Sequence, residues 1–404
     1  METGKGSTSS GIPGGSILKD RNFRIVLGVT LMSVLGVASV TPTFPEISLR
    51  MGLSAARTAL LVSVFTIPGL FFTPFLGLLA DRYGRKRVLV PCLFLFGVAG
   101  GGCALVSNFP TLLLLRFLQG TGASALNSLN VTLIGDFFPG KKRSEAMGYN
   151  ASVLGIGTAS YPALGGLLAT FGWRYPFALA FSGVFIGIWA LFGLEEGYKP
   201  EKDAEKRLDI HRLRSAVFQR TTLLLLGTSV MTFVILYGAF FTYLPFFLTE
   251  RYGASPLHVG LVAAAMSLAN AVTASRSRIL AEHLSERCRL VAAFFLYAGA
   301  LALLLAIPSC CGTVLPAVLF GIGQGLNMPT LLTMLAELAP EENRAVFLSL
   351  NSMSLRLGQT LGPLIMGGVF SLFGIEAVFV FGAVLALVMV TFLCAFLGKS
   401  NIVS

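Results

Sequence analysis

GLLADRYGRKRVLV, residues 77–90, is a tight charged knot between two apolar runs. Asp81 stands beside four cations, Arg82, Arg85, Lys86 and Arg87, with Gly77 ahead of them and Gly84 among them. Each flanking run is long enough to cross an apolar slab about 30 Å thick at 1.5 Å per helical residue. The knot therefore reads as a short loop between two membrane-spanning helices, and the rest of the chain repeats the pattern.

The composition agrees. Of 404 residues, 54% are hydrophobic and only 12% charged, and Phe occurs 33 times. The mean hydropathy is +0.78. A soluble domain carries about 25% charged residues. The fold class is all-α integral membrane, since continuous apolar runs favour helices over a barrel. Twelve spans can be read: 22–44, 56–80, 87–106, 110–135, 144–170, 173–194, 221–248, 256–280, 289–308, 312–337, 345–371 and 374–398. The Gly/Ser-rich residues 1–20 form a flexible tail, residues 195–220 a polar linker, and residues 399–404 a short second tail. No short apolar core with a small-residue cleavage site precedes helix 1, which then serves as an uncleaved signal.

A net charge of +11 would suggest nucleic acid in a soluble protein. Here the cations sit between spans, in the 2–3, 4–5 and 6–7 connections, while the opposite side carries only Arg50, Arg57, Arg174 and Arg251. The positive-inside rule puts both termini and the linker in the cytoplasm. The partners expected are a lipid bilayer and a small molecule, with no nucleic acid and a monomeric chain. No metal is expected, because the six cysteines lack ligand spacing. Adjacent Cys310 and Cys311 would bridge only with strain. No phosphate-binding Gly-Lys-Ser/Thr loop or Ser/His/Asp constellation is present, so the chain reads as neither an enzyme nor an ATP-driven pump, and no cofactor is expected.

The linker divides two six-helix halves related by an offset of 201 positions. Gly120 meets Gly321, Gly122 meets Gly323, Arg143 meets Arg344, Asn150 meets Asn351, Gly157 meets Gly358 and Pro162 meets Pro363. An even number of spans gives both halves one orientation, with the working site expected at their interface near the midplane. Helices 3, 6, 9 and 12, nearly free of amides and charges, are expected against lipid. Helices 4, 5, 10 and 11 carry the polar residues, which are costly in hydrocarbon and should face an interior space.

Residues 77–86 resemble the 2–3 loop signature of the major facilitator superfamily of transporters, and the resemblance extends over about residues 20 to 400. It implies two pseudo-symmetric six-helix bundles around a central cavity, in a plasma membrane, most simply the bacterial inner membrane. A purely topogenic basic loop would account for the cations but not for Asp81 and the spaced glycines. In the functional reading Gly77 permits close helix approach, and Asp81 faces the positive end of a helix. The resemblance implies that this helix is helix 11, near Arg344. Arg85 then bridges Asp81 and Asp136 as part of a cytoplasmic gate with Gly77, Arg82 and Gly84. The second half keeps only Glu282 of this signature.

Arg116, Gln119 and Gly120 resemble a second signature, found in proton-coupled members, and are coupling candidates. The plainer reading of Arg116 is a snorkelling side chain. Gly148, Gly157, Tyr161, Pro162, Gly165 and Gly166 resemble the helix 5 signature of drug-proton antiporters, with Tyr161 in place of a glycine. Gly157, Tyr161 and Gly165 share one helical stripe. The resemblance makes helix 8 the neighbour of helix 5, and small-residue packing alone is the alternative.

The candidate cavity residues are Asn127, Asn130, Asn150, Tyr237, Gln324, Asn327, Asn351 and Arg356. For the repeat-related Asn150 and Asn351, hydrogen bonding between helices is an equal alternative. None of the 19 carboxylates falls in the middle of a span. Proton coupling would then run through Asp81, Asp136 or Glu337, or through substrate near Arg116 and Arg356. Neutral or anionic amphiphiles are favoured over lipophilic cations. The function expected is a secondary active exporter of small amphiphiles, a proton antiporter working by alternating access. The alternatives are a facilitator or importer of a metabolite or organic anion, and a non-transporting receptor or scaffold.

Overall fold

The computed structural model describes residues 17–196, 218–339 and 344–397. Most of the predicted 1–20 tail, most of the 195–220 linker and the 399–404 tail lie outside them. So do the side chains of Asn127, Arg344 and Ala345. Among the described residues all regular structure is helical. Twelve long helices, α1 to α12, run Arg21–Met51, Ala55–Tyr83, Arg85–Gly102, Phe109–Phe137, Lys141–Ala169, Arg174–Gly193, Arg220–Tyr252, Pro256–Ser275, Glu286–Ala306, Cys311–Leu338, Arg344–Phe373 and Ile375–Phe396. Nine of them are long and apolar enough to cross a membrane by composition alone. Of the other three, α3 is short and opens on three cations, while α4 and α11 carry basic and amide residues along their length.

Local chemistry sets the helix starts. Ser54, Asn108, Ser255 and Ser285 each accept a hydrogen bond from the backbone N–H three residues on, capping α2, α4, α8 and α9. Gly52 and Gly253, separated by the repeat offset, both take φ 61° ahead of their capping serines, so one turn is built twice. Gly84 closes α2 and opens α3 at φ 102°, which L side chains rarely adopt. Three helices are interrupted, α6 by a 3₁₀ turn at Leu179–Phe181. A 3₁₀ turn at Thr41–Thr43, around Pro42, interrupts α1. A ten-residue π segment, Val234–Tyr243, interrupts α7.

The helices form two bundles, α1–α6 and α7–α12, and glycines set the same contacts in each. A Cβ on Gly120 of α4 would fall on the Phe65 carbonyl of α2, and one on Gly122 on the backbone at Cys92 and Phe96 of α3. In the second bundle Gly321 of α10 meets the Met266 carbonyl of α8, and Gly323 meets Ala293 and Tyr297 of α9. The bundles join chiefly through α2 against α11 and α5 against α8.

The four helices expected against lipid each bury one face and expose another. α6 and α12 present rows of exposed apolar side chains, including Phe185, Phe192, Val384 and Phe392. α3 and α9 bury Leu93, Phe96, Phe294 and Tyr297 inside their bundles and leave a second face open, with Val98 and Phe295 exposed on it.

Candidate functional site

The end of the molecule bearing the 2–3 and 4–5 loops is the basic end; the other is the far end. At the far end the bundles are closed on each other. A Cβ on Gly166 of α5 would stand 2.5 Å from the Pro256 carbonyl and 3.1 Å from the Gly260 Cα of α8. Reciprocally, Gly260 faces the Pro162 carbonyl. On the opposite side of the interface, Gly367 of α11 lies against Ala56 of α2. One level deeper, Ser63 Oγ donates to the Thr360 carbonyl at 2.9 Å, and the Thr66 and Thr360 hydroxyls bond at 2.9 Å. Residues without bulk let the backbones meet, and the hydroxyls satisfy each other away from water.

Toward the basic end the same four helices part. Along α5, Pro162 and Gly166 are in contact, while Ser152 and Gly148 are exposed. Along α11, Thr360 is buried, while Ser352 and Met353 are exposed. Gly77 of α2 meets no described atom within 4 Å of a Cβ position. The molecule thus holds a cleft between its bundles that is sealed at the far end.

The charged knot lies at the mouth of that cleft. Arg85 is almost entirely buried. Its guanidinium lies 2.5 Å from Asp136 at the end of α4 and 3.7 Å from Asp81. Asp81 itself is 56% exposed. Arg143 packs its guanidinium over Gly135 beside this group. The expected Arg85 bridge between Asp81 and Asp136 is therefore present within the first bundle. The expected approach of Gly77 and Asp81 to α11 is not seen among the described residues, because the basic ends stand apart here. Arg82 is exposed. Gly84 contributes through its backbone, which makes the turn from α2 into α3.

Arg116 is fully buried. Its Nε donates to the Leu61 carbonyl at 3.1 Å, and its Nη1 donates to the Gly36 carbonyl and to Gln119 Oε1, both at 2.8 Å. The Phe65 ring lies 4.4 Å from the guanidinium carbon. This ties α1, α2 and α4 together, so the side chain does not snorkel.

The helix 5 stripe divides its work. Gly165 meets the Ser39 carbonyl, and Gly157 meets Val34 and Leu31, both within the first bundle. Tyr161 is buried in the same face. Helix 8 is the neighbour, but Pro162 and Gly166, one position round the helix, are the residues that meet it.

The buried amides are used between helices. Thr30 Oγ1 donates to Asn150 Oδ1 at 2.5 Å, and Asn130 Nδ2 donates to both Thr30 Oγ1 and Asn150 Oδ1. In the second bundle Ser229 Oγ donates to Asn351 Oδ1 at 2.6 Å. Asn327 Nδ2 donates to Thr232 Oγ1 and Tyr297 Oη, and Tyr297 Oη donates to Gln324 Oε1. All five amides are buried and bonded to neighbouring helices rather than open to the cleft in this state. Asn127 shares α4; its side chain is outside the described atoms.

Two candidates, Arg356 and Tyr237, are partly exposed between the bundles. Arg356, near the middle of the 30-residue α11, is partly exposed and its Nη1 donates to Gln359 Oε1 at 3.2 Å. Its stem crosses the interface: a Cβ on Gly69 of α2 would stand 3.1 Å from both Cδ and Nε. Tyr237, in the π segment of α7, is within electrostatic reach of that guanidinium. Its ring lies between those of Phe233 and Phe241, tilted against both, at centroid distances of 5.8 and 5.5 Å. Gly69, Ser63, Thr66, Gln359 and Thr360 also belong to this site. The available sequence signal was the spacing of hydroxyls and glycine, SVFTIPG at 63–69 on α2 and GQTLGP at 358–363 on α11. Among the described residues no His/Cys/Asp/Glu group suits a metal.

Two similarly oriented bundles, closed on one side of a polar midplane site and parted on the other, define a membrane transporter. The family profile of the Major Facilitator Superfamily matches residues 26–320 and 300–402, and the chain belongs to that family. It is similar to the multi-drug resistance efflux pump PmrA of Streptococcus pneumoniae, 28% identical over 369 residues, covering 89% of this chain and 91% of that one. It is also similar to the quinolone resistance protein NorA of Staphylococcus aureus, 24% identical over 341 residues, covering 83% and 86%. Among solved structures, a bacterial homologue of the human lysosomal transporter Spinster, in an inward-facing and unoccupied conformation, aligns with a TM-score of 0.76. It is 20% identical, covering 94% of this chain and 96% of that one.

Proposed function

We propose that this transporter exports small amphiphilic molecules by alternating access, as a single chain, with its basic end in the cytoplasm and protons entering as substrate leaves. The observation that carries the reading is the graded interface, in contact at Gly166 and Gly260 and open at Gly148 and Ser152. Interfaces of this kind are bistable, and rocking one bundle against the other would exchange which end is sealed. The positive-inside rule makes the present state inward-facing. The efflux names of the relatives support the outward direction. Proton traffic is assigned to the basic end, where Asp136 lies among Arg85, Asp81 and Arg143. Asp81 and Gly77 would close against α11 in the opposite state.

One observation favours a second reading. No carboxylate lies mid-span, so a facilitator or importer moving a metabolite without protons is the competitor. Flux of a fluorescent quinolone from proteoliposomes, under a pH gradient of either sign, separates the two. Gradient-driven flux supports the exporter, with the Asp81→Asn variant slower yet normally inserted. Flux indifferent to the gradient supports the facilitator.

A further inference from the structure

Arg116 and Arg356 are the two charged side chains set well inside spans, and no carboxylate accompanies them there. Their surroundings differ. Arg116 is enclosed, with two backbone carbonyls and an amide as acceptors. Arg356 has one amide acceptor, Gln359, and no ion pair with any described residue. It is partly exposed in the cleft. It stands one turn below the Ser63–Thr66–Thr360 seal, at the blind end of the cleft. A cation held at membrane depth is costly unless a partner anion offsets it.

We propose that Arg356 is the anion-binding residue of the central site, and that the transported molecules are aromatic or amphiphilic acids carrying a carboxylate or a comparable single anion. This rests on the central cleft being the transport route and is independent of the direction of transport. The guanidinium is oriented from two sides, by Gln359 and by its stem against Gly69. Such a fork is suited to bidentate carboxylate recognition. Tyr237, which interacts with the guanidinium, packs between Phe233 and Phe241, and these rings would supply an apolar wall for a ligand ring. A bound anion would supply the negative charge that the spans lack. An anion leaving the cell also moves with an inside-negative membrane potential, a drive that needs no mid-span carboxylate to transmit it.

The test is equilibrium binding to the purified full-length protein in lipid nanodiscs, without any gradient, using 2-naphthoate and its neutral isostere naphthalene-2-carboxamide. The wild-type protein should prefer the carboxylate. Arg356→Gln should weaken naphthoate binding by about 10- to 100-fold, the range of a charge-assisted hydrogen bond, and leave the amide unchanged. A wild-type protein without preference for the carboxylate overturns the proposal, and so does an Arg356→Gln variant that keeps the preference. If Arg356→Gln loses both ligands, Arg356→Lys decides: restored anion preference supports the assignment, and anything else overturns it. Because no flux is measured, failure of the export reading leaves this result standing, and the converse also holds.

Discussion

The far-end seal can be tested by adding one methyl group. Gly166→Ala places a Cβ 2.5 Å from the Pro256 carbonyl of α8 and 3.1 Å from the Gly260 Cα, with backbone rather than a movable side chain in the way. Overpacking of this kind costs about 1–3 kcal/mol. That cost is felt only while the far end is closed, so the state with the far end open gains about 5- to 150-fold in relative population. The neighbouring glycine is the control. A Cβ on Gly165 meets the Ser39 carbonyl inside the first bundle, a contact that bundle rocking does not break. Gly165→Ala should therefore lower the unfolding temperature without shifting the conformational equilibrium. The assay is pulsed electron spin resonance between labels at Leu49 and Leu372, both strongly exposed at the far end of different bundles, after replacement of the six native cysteines. Gly166→Ala should move population to the longer distance. An unchanged distribution in a folded Gly166→Ala protein, or the same shift from Gly165→Ala, would refute the reasoning.

Three further outcomes are expected. Arg85→Ala leaves Asp136 poorly compensated, and losing one partner of a buried pair costs about 3–5 kcal/mol, less here because Asp136 is 18% exposed. Chemical unfolding should show that loss, and the Arg85→Met, Asp136→Leu double variant should recover most of it. Arg116→Lys should destabilise nearly as much as Arg116→Ala in thermal unfolding, since one ammonium cannot serve the Gly36, Leu61 and Gln119 acceptors in the same geometry. A lysine variant with wild-type stability would show that only the charge matters. Asn150→Leu removes the link to Thr30 and Asn130, worth about 1–2 kcal/mol in a membrane bundle. Substrate affinity in flux assays should hold, and a marked change in affinity would return Asn150 to the cavity wall.

The twelve spans are legible because apolar run length meets a fixed slab thickness, so the predicted 56–80 and 110–135 sit inside Ala55–Tyr83 and Phe109–Phe137. The breaks are harder. Pro42 marks the interruption of α1, but VILYGAFFTY has no local signature separating a π segment from a regular helix. The amides show why polar residues mislead about a cavity. Asn150 and Asn351 occupy equivalent repeat positions, yet their partners, Thr30 and Ser229, are ordinary hydroxyls on α1 and α7. Polarity in a span says that a partner exists, not whether that partner is protein or ligand. Arg356 differs in having one amide acceptor and no anion among the described residues, which only the assembled interface reveals.

The two halves therefore share packing more closely than they share charge. Gly120 and Gly321, and Gly122 and Gly323, make the same contacts, because a small residue at a helix crossing has no substitute without moving a backbone. The ionic parts have diverged. Arg85 pairs with Asp136, whereas the offset carries Arg85 onto Glu286 and Asp136 onto Glu337, and the cation stands instead at Arg289, 4.0 Å from Glu286. The divergence continues inward. The enclosed Arg116 belongs to the first bundle alone and the cleft-facing Arg356 to the second. Equal scaffolds would suit the proposed rocking of the bundles as one symmetric device. In the proposed cycle the unequal charges would give the bundles different roles, with the first holding the gate at the basic end and the second presenting Arg356 to the cleft.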